Sequence, residues 1–192
     1  MQRPEINEIR DASDRIASYI HNTPVFRCKA IDKRLGRSVF FKCENFQKSG
    51  SFKIRGAANA VFSLGEDKAE KGVATHSSGN HGAALALAAR LRGIGCHVVM
   101  PENAPGVKVK AVSGYGADIS FCPPTLKDRE KVLAELAEET GAVFIHPSNN
   151  SEVIAGQGTA ALEFLEEVPD LDALITPVGG GGLLSGSAIS AA

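Results

Sequence analysis

From Gly72 onward this chain alternates short apolar runs with helix-length segments, a rhythm that few folds accommodate. Val73-Ala74-Thr75-His76 reads as a strand, and Asn80 to Arg92 as a helix closed by Gly93. His97-Val98-Val99-Met100 is a second strand, followed by a helix from Pro105 to Tyr115 with proline near its start. Asp118-Ile119-Ser120-Phe121-Cys122 is a third, followed by a charged helix from Lys127 to Thr140. Ala142-Val143-Phe144-Ile145-His146 is a fourth. Strands that alternate with helices require right-handed crossovers and a parallel sheet between helical layers. Residues 70–147 are therefore expected to form one compact unit.

The flanks carry a second set of elements. Ile6, Ile9, Ile16, Ala17 and Ile20 recur with charged residues between them, which suits an amphipathic helix ended by Thr23-Pro24. Lys29 to Leu35 is a short helix closed by Gly36. The strand Val39-Phe40-Phe41-Lys42-Cys43 runs into a polar turn, and Lys53 stands near the start of a small-residue helix. Ser151 to Val168 reads as a long helix with Ser151 as N-cap, weakened by Gly156 and Gly158 unless something packs closely there. The strand Ala173 to Val178, four glycines and a helix from Leu183 to Ala192 follow.

The bulk chemistry excludes several classes. A formal net charge of −1 leaves no polybasic field for nucleic acid or an acidic membrane surface. Cys28, Cys43, Cys96 and Cys122 form no CxxC pair, which argues against a disulfide scaffold or a zinc site and fits a reducing compartment. Met1 to Glu5 lacks the apolar core of a signal peptide, and no segment has the apolar length of a membrane span. A cytoplasmic protein is expected.

Three loops carry the chemistry. Lys53 at a helix N-terminus is disfavoured as a cation, and desolvation adds to that, so the amine moves toward a nucleophile able to form an imine. The alternative is a surface lysine after a turn. The second loop, His76-Ser77-Ser78-Gly79-Asn80-His81-Gly82, offers hydroxyls, an amide, an imidazole and backbone N–H groups where a helix dipole favours a carboxylate. An ordinary N-cap would account for one of those polar residues. The third, Gly179-Gly180-Gly181-Gly182, leaves successive N–H groups uncovered at a helix start and forms a nest for a phosphate, or else a plain tight turn. No Gly-Lys-Ser/Thr follows, so it is not a P-loop. Reading GxGxxG from Gly179 puts Leu184 where the last glycine belongs, so a dinucleotide fingerprint fails too. A phosphate cup without a nucleotide signature, together with an imine-forming lysine, points to pyridoxal 5′-phosphate. Each loop follows a strand, so all three are expected to face one cleft.

At these residues the sequence resembles the fold-type II pyridoxal-phosphate enzymes, in the branch of serine racemases and serine/threonine dehydratases. The matching blocks are Phe41 to Ala57, Ser77 to Gly82, Val153 to Thr159 and Pro177 to Leu183, in the family's order. The resemblance implies an α/β fold of two open parallel-type sheets flanked by helices. Residues 1–69 plus 148–192 would be a large cofactor-binding domain, and residues 70–147 a small mobile domain. It implies that Lys53 holds the cofactor and takes the substrate α-proton on one face, with Ser78 as the acid/base on the other. Phe52 and Asn80 would contact the cofactor ring and its 3′-oxygen, and Gly179, Gly180, Gly181, Gly182 and Leu183 its phosphate. Ser77, Ser78, Asn80 and His81 would receive the substrate carboxylate, and Arg129 falls near a family arginine on the closing domain, the alternative being a solvated helix charge. Racemisation of serine and β-elimination from hydroxy amino acids are the implied reactions, and a homodimer the implied assembly. Members continue well past the tetraglycine loop. The chain is thus expected to be a C-terminally shortened form with exposed apolar surface. The family's divalent-cation ligands lie in that further part, and no metal is expected on this chain. The open alternative is a half that binds a phosphate ligand or a complementary chain without turnover.

Overall fold

A computed structural model describes residues 3–192; Met1 and Gln2, part of the stretch read against a signal peptide, lie outside it. The elements run α1 (Ile6–Ile16), β1 (Val25–Arg27), α2 (Lys29–Leu35), β2 (Phe40–Lys42), α3 (Lys53–Phe62), α4 (Glu66–Ala69), β3 (Val73–His76) and α5 (Asn80–Arg92). They continue with β4 (Cys96–Pro101), α6 (Gly106–Gly114), β5 (Asp118–Cys122), α7 (Leu126–Thr140), β6 (Val143–Phe144), α8 (Ser151–Glu167) and α9 (Gly182–Ser190). Two single-turn 3-10 helices, Glu44–Phe46 and Lys48–Gly50, lie between β2 and α3.

The alternating region folds as its sequence demands. Strands β3 to β6 form one parallel sheet in the order β5-β4-β3-β6, with Val73 opposite both Cys96 and Val143. Period two decides the facing. Val73, Val98 and Met100 enter the main core with the alanine-rich α5 and with α3. Ala74, Val99 and Cys122 turn the other way and pack with Leu133 of α7. This α/β architecture with a parallel sheet is the expected class.

Beyond that sheet, several expectations are corrected. Helix α1 ends at Ile16 rather than Ile20, because its buried stripe is Ile9, Ala12 and Ile16 and nothing further along is fully covered. Strand β1 pairs antiparallel with β2, so the only ladder outside the parallel sheet among the described residues is an antiparallel ribbon. The N-cap of α8 is Asn150, whose Oδ1 accepts from the Val153 N–H at 3.0 Å, rather than Ser151. The fourth strand is shorter than expected, Val143–Phe144; Ile145 still donates its N–H to the Ala74 carbonyl at 2.9 Å, and the chain then enters the connector to α8. Ala173 to Val178 forms no strand: no neighbouring strand is there to pair with, and Ile175 is 92% exposed. Leu174, Ile175, Thr176 and Pro177 instead line an apolar groove of about 370 Å³ together with Phe40 and Phe41.

The glycines inside α8 have a packing reason. A Cβ on Gly156 would collide with the Arg55 carbonyl oxygen and the Gly56 Cα, so α3 and α8 cross with their backbones touching. Gly158 and Gly186 do the same for α8 and α9. Such contacts between backbones have no flexible atom to yield. Gly156→Ala is expected to destabilise the fold by about 2 kcal/mol or more through overpacking. Urea unfolding measures it, and a neutral result would mean that the crossing is looser than described.

Candidate active site

Lys53 opens α3, directly after Phe52 at the N-cap, which supplies no side-chain cap. Its Nζ lies 5.3 Å from the centre of the Phe52 ring and donates to the Pro147 carbonyl oxygen at 2.9 Å. Burial pushes the Lys53 pKa down, because a desolvated ammonium is disfavoured against the neutral amine. In the turn before it, the Ser49 and Ser51 hydroxyls are buried without a hydrogen-bond partner. Buried orphan donors are uncommon, and here they leave capacity for a ligand carrying acceptors.

The tetraglycine loop meets the same connector one residue on. A Cβ on Gly180 would collide with the Ser148 side chain, and Gly182 packs on the Ser148 backbone. Gly181 lies in the left-handed region at φ 87° and is the uncapped N-cap of α9. The first bond into this turn is Ser185 N–H to Gly181 O, so the N–H groups of Gly182, Leu183 and Leu184 are free for an anion. The loop's donors are main-chain groups, and the connector that backs it also holds the partly desolvated Lys53. A phosphate-bearing aldehyde such as pyridoxal 5′-phosphate fits that set.

The serine–asparagine loop joins through Ile145. His81 Nε2 faces the Ile145 carbonyl oxygen at 3.3 Å, and Thr75 Oγ1 donates to the same oxygen at 2.8 Å. Residues 145, 147 and 148 thus gather all three loops onto one connector. Ser77 Oγ accepts from the Gly79 N–H at 3.2 Å and shapes the turn, whereas the Ser78 side chain stands exposed at its tip. The free N–H groups at the start of α5 are those of Asn80, His81 and Gly82.

Some expected residues are placed differently. The His81 ring is buried, and it cannot meet a carboxylate as a cation: burial, then the charge of Lys53, pushes its pKa down to about 3. The main-chain N–H of His81 is one of the free donors at the start of α5. The Asn80 amide oxygen accepts from Lys108 Nζ of α6 at 2.5 Å rather than turning to Lys53. Arg129, in the first turn of α7, donates through Nε to its own Thr125 carbonyl at 3.3 Å and faces His76. Burial, with the Arg129 guanidinium adding to it, pushes the His76 pKa down. No hydrogen bond links Ser78 or Arg129 to Lys53 among the described residues.

Sequence reasoning missed the connector. Pro147 and Ser148 act through a carbonyl oxygen and close backbone packing, which residue type does not announce. The polar run Ser148-Asn149-Asn150 directly after an apolar strand is the one signal present. It also missed Arg55, which is fully buried.

The neutral His81 makes stability depend on pH. Its folded pKa lies below the unfolded value of about 6.5, so the unfolded chain takes up a proton first as pH falls. Stability is therefore complete above about pH 6.5 and declines toward the folded pKa of about 3. The expected loss is about 2 kcal/mol at pH 5 relative to neutral. Urea unfolding at the two pH values measures it, and His81→Asn should flatten this part of the dependence.

Among the described residues, no group of three or more His, Cys, Asp or Glu is placed to hold a metal ion, and all four cysteines are free. No helix there is long and apolar enough to cross a membrane.

Comparison with known proteins follows the same line. A model of the pyridoxal-phosphate dependent enzymes matches residues 16–191. The chain is similar to a serine racemase of Oryza sativa subsp. indica, 54% identical over 187 residues that cover 97% of this chain and 55% of the relative. It is similar to a beta-hydroxyaspartate dehydratase of Paracoccus denitrificans, 48% identical over 190 residues that cover 99% of this chain and 60% of the relative. The solved structure of maize serine racemase superposes with a TM-score of 0.98 at 53% identity, covering 99% of this chain and 58% of the other. The chain spans a little over half the length of the curated relatives it matches. A lysine held by a connector that also backs a tetraglycine loop, on a chain matched almost end to end, places this protein in the pyridoxal-phosphate dependent enzyme family.

Proposed function

We propose that this protein racemises serine, eliminates the β-hydroxyl from serine- or threonine-type hydroxy amino acids, or does both. The observation that carries the reading is the connector, which sets the Lys53 amine on Pro147 and the glycine cup on Ser148. The relatives named as serine racemase and beta-hydroxyaspartate dehydratase support the substrate class.

Lys53 would hold the cofactor, with Phe52 and Asn80 beside its ring. Gly179 to Gly182 and Leu183 would take its phosphate through main-chain N–H groups. Bound pyridoxal 5′-phosphate would supply the electron sink for negative charge at the substrate Cα. The N–H groups of Asn80 and His81 at the start of α5, with Ser77 and Ser78, would hold the substrate carboxylate and fix which bond at Cα breaks. The Lys53 amine, its pKa lowered by burial, removes or returns the α-proton on one face. The Ser78 hydroxyl does so on the opposite face. Two bases on opposite faces invert the centre, whereas loss of a β-hydroxyl from the same species gives elimination. Residues 70–147 are the unit we assign to closing over the substrate, carrying Arg129 with them. A cytoplasmic homodimer completes the proposal, and the relatives' further length is where a divalent-cation site would lie.

The test is incubation of the purified protein and pyridoxal 5′-phosphate with L-serine and L-threonine, following D-enantiomer and 2-oxo acid. Appearance of either product above the Lys53→Ala control supports the proposal, and neither appearing rejects it. A second reading, binding without turnover until a complementary chain joins, is favoured by one observation. Phe26, Phe41, Phe46, Ile175 and Val178 are all exposed. Full turnover by the isolated chain would exclude it.

A further inference from the structure

Arg55 is fully buried two residues beyond Lys53. Its Nε and Nη2 donate to the two carboxylate oxygens of Glu44, each at 2.8 Å. Its Nη1 donates to Glu163 of α8 at 2.9 Å and to Thr159 at 3.3 Å. Lys42 Nζ closes the set at 2.6 Å from Glu163 and 3.4 Å from Glu167, so two cations meet three carboxylates.

Stability alone is a weak reason for such a cluster, since replacing a buried ion pair by apolar groups is often neutral or favourable. The turn that carries Lys53 supplies a better one. Neither single-turn helix between β2 and α3 has a buried residue, and Phe46 is exposed. Ser49 and Gly50 both take positive φ, at 61° and 75°, and α3 starts without a side-chain cap. Core packing holds α3 from Ile54 onward, and the buried Gln47 is bonded to the His21 main chain, so the stretch between them that carries Lys53 is what the fork has left to fix. Glu44 stands at the entry of this turn and Arg55 at its exit, and their two parallel bonds close it at a set distance and angle. A guanidinium does this because its planar fork matches a carboxylate; an ammonium is a point charge and does not.

We infer that the Arg55–Glu44 fork is a positioning device for the Lys53 amine, separate from the Arg55–Glu163 contact, which ties α3 to α8. This rests on the proposed covalent role of Lys53. Arg55 is a positioning residue: it reaches the chemistry only through the turn that it closes.

The test is the rate at which pyridoxal 5′-phosphate attaches to the purified protein. It is read by absorbance, and by borohydride reduction with peptide mapping, beside thermal unfolding of each variant. Arg55→Lys and Glu44→Gln are expected to slow attachment at Lys53 by about tenfold to a hundredfold, as displacement of a reacting group does. They should also spread label to other lysines. Glu163→Gln should lower the unfolding temperature yet leave the rate at Lys53 within about twofold, because the fork persists. Rates that follow stability across all three variants, or wild-type attachment in Arg55→Lys, overturn the inference while Lys53 stays labelled in the parent protein. A parent protein unlabelled at Lys53 overturns the cofactor reading itself, and the inference with it.

Discussion

Exchange of Lys53 for alanine is expected to remove covalent attachment of pyridoxal 5′-phosphate altogether and to lower turnover by about 10³-fold or more. Two functions go at once. The amine that would hold the cofactor is lost, and so is the base for one face of Cα. The fold should persist, because Lys53 makes one hydrogen bond, to the carbonyl of Pro147, a half-buried residue. Far-UV circular dichroism and unfolding temperature of the variant separate the two effects. Near-parental stability with no product is the expected pair. Retained turnover in Lys53→Ala would remove this residue from the chemistry.

Ser78→Ala should divide the reactions. Without the hydroxyl, one face of Cα has no acid/base, so racemisation should fall by about 10²- to 10⁴-fold. Elimination from the enantiomer whose α-proton faces Lys53 should continue. The Ser78 side chain is exposed and serves no structural bond, so the change should cost little stability. Chiral chromatography of serine beside a 2-oxo acid assay reads both rates in one sample. Equal loss of both would indicate that Ser78 holds the substrate rather than moving a proton. No loss of either would strip it of a role.

The parallel sheet was legible because its strands are continuous apolar runs, such as Val98-Val99-Met100, that only a sheet covered on both faces explains. The helix starts near Lys53 and Asn80 were legible from small residues and polar turns. Ala173 to Val178 has the composition of a strand and is not one here, since a strand exists only with a neighbour to bond. Strand β1 is three residues long behind Thr23-Pro24 and gives no periodic signal. Within the site, Lys53 and the glycines were legible because their chemistry resides in residue type. The connector was not, because Ile145 and Pro147 act through carbonyl oxygens that every residue possesses. That the His81 ring is buried and held neutral was not legible either, because it depends on packing against Ile145 and not on residue type. Arg55 shows the same limit, since sequence displays a charge but not that Glu44 and Glu163 lie within 3 Å of it.

The central claim is that Lys53 is a desolvated amine beside a phosphate cup. Mixing the purified protein with pyridoxal 5′-phosphate, reducing with borohydride and mapping peptides by mass spectrometry tests it most directly. The prediction is a single adduct on Lys53, formed at a lower pH than at an exposed lysine because burial lowers its pKa. Competition by inorganic phosphate at the glycine cup should slow it. No adduct, or label spread evenly over the surface lysines, would contradict the account.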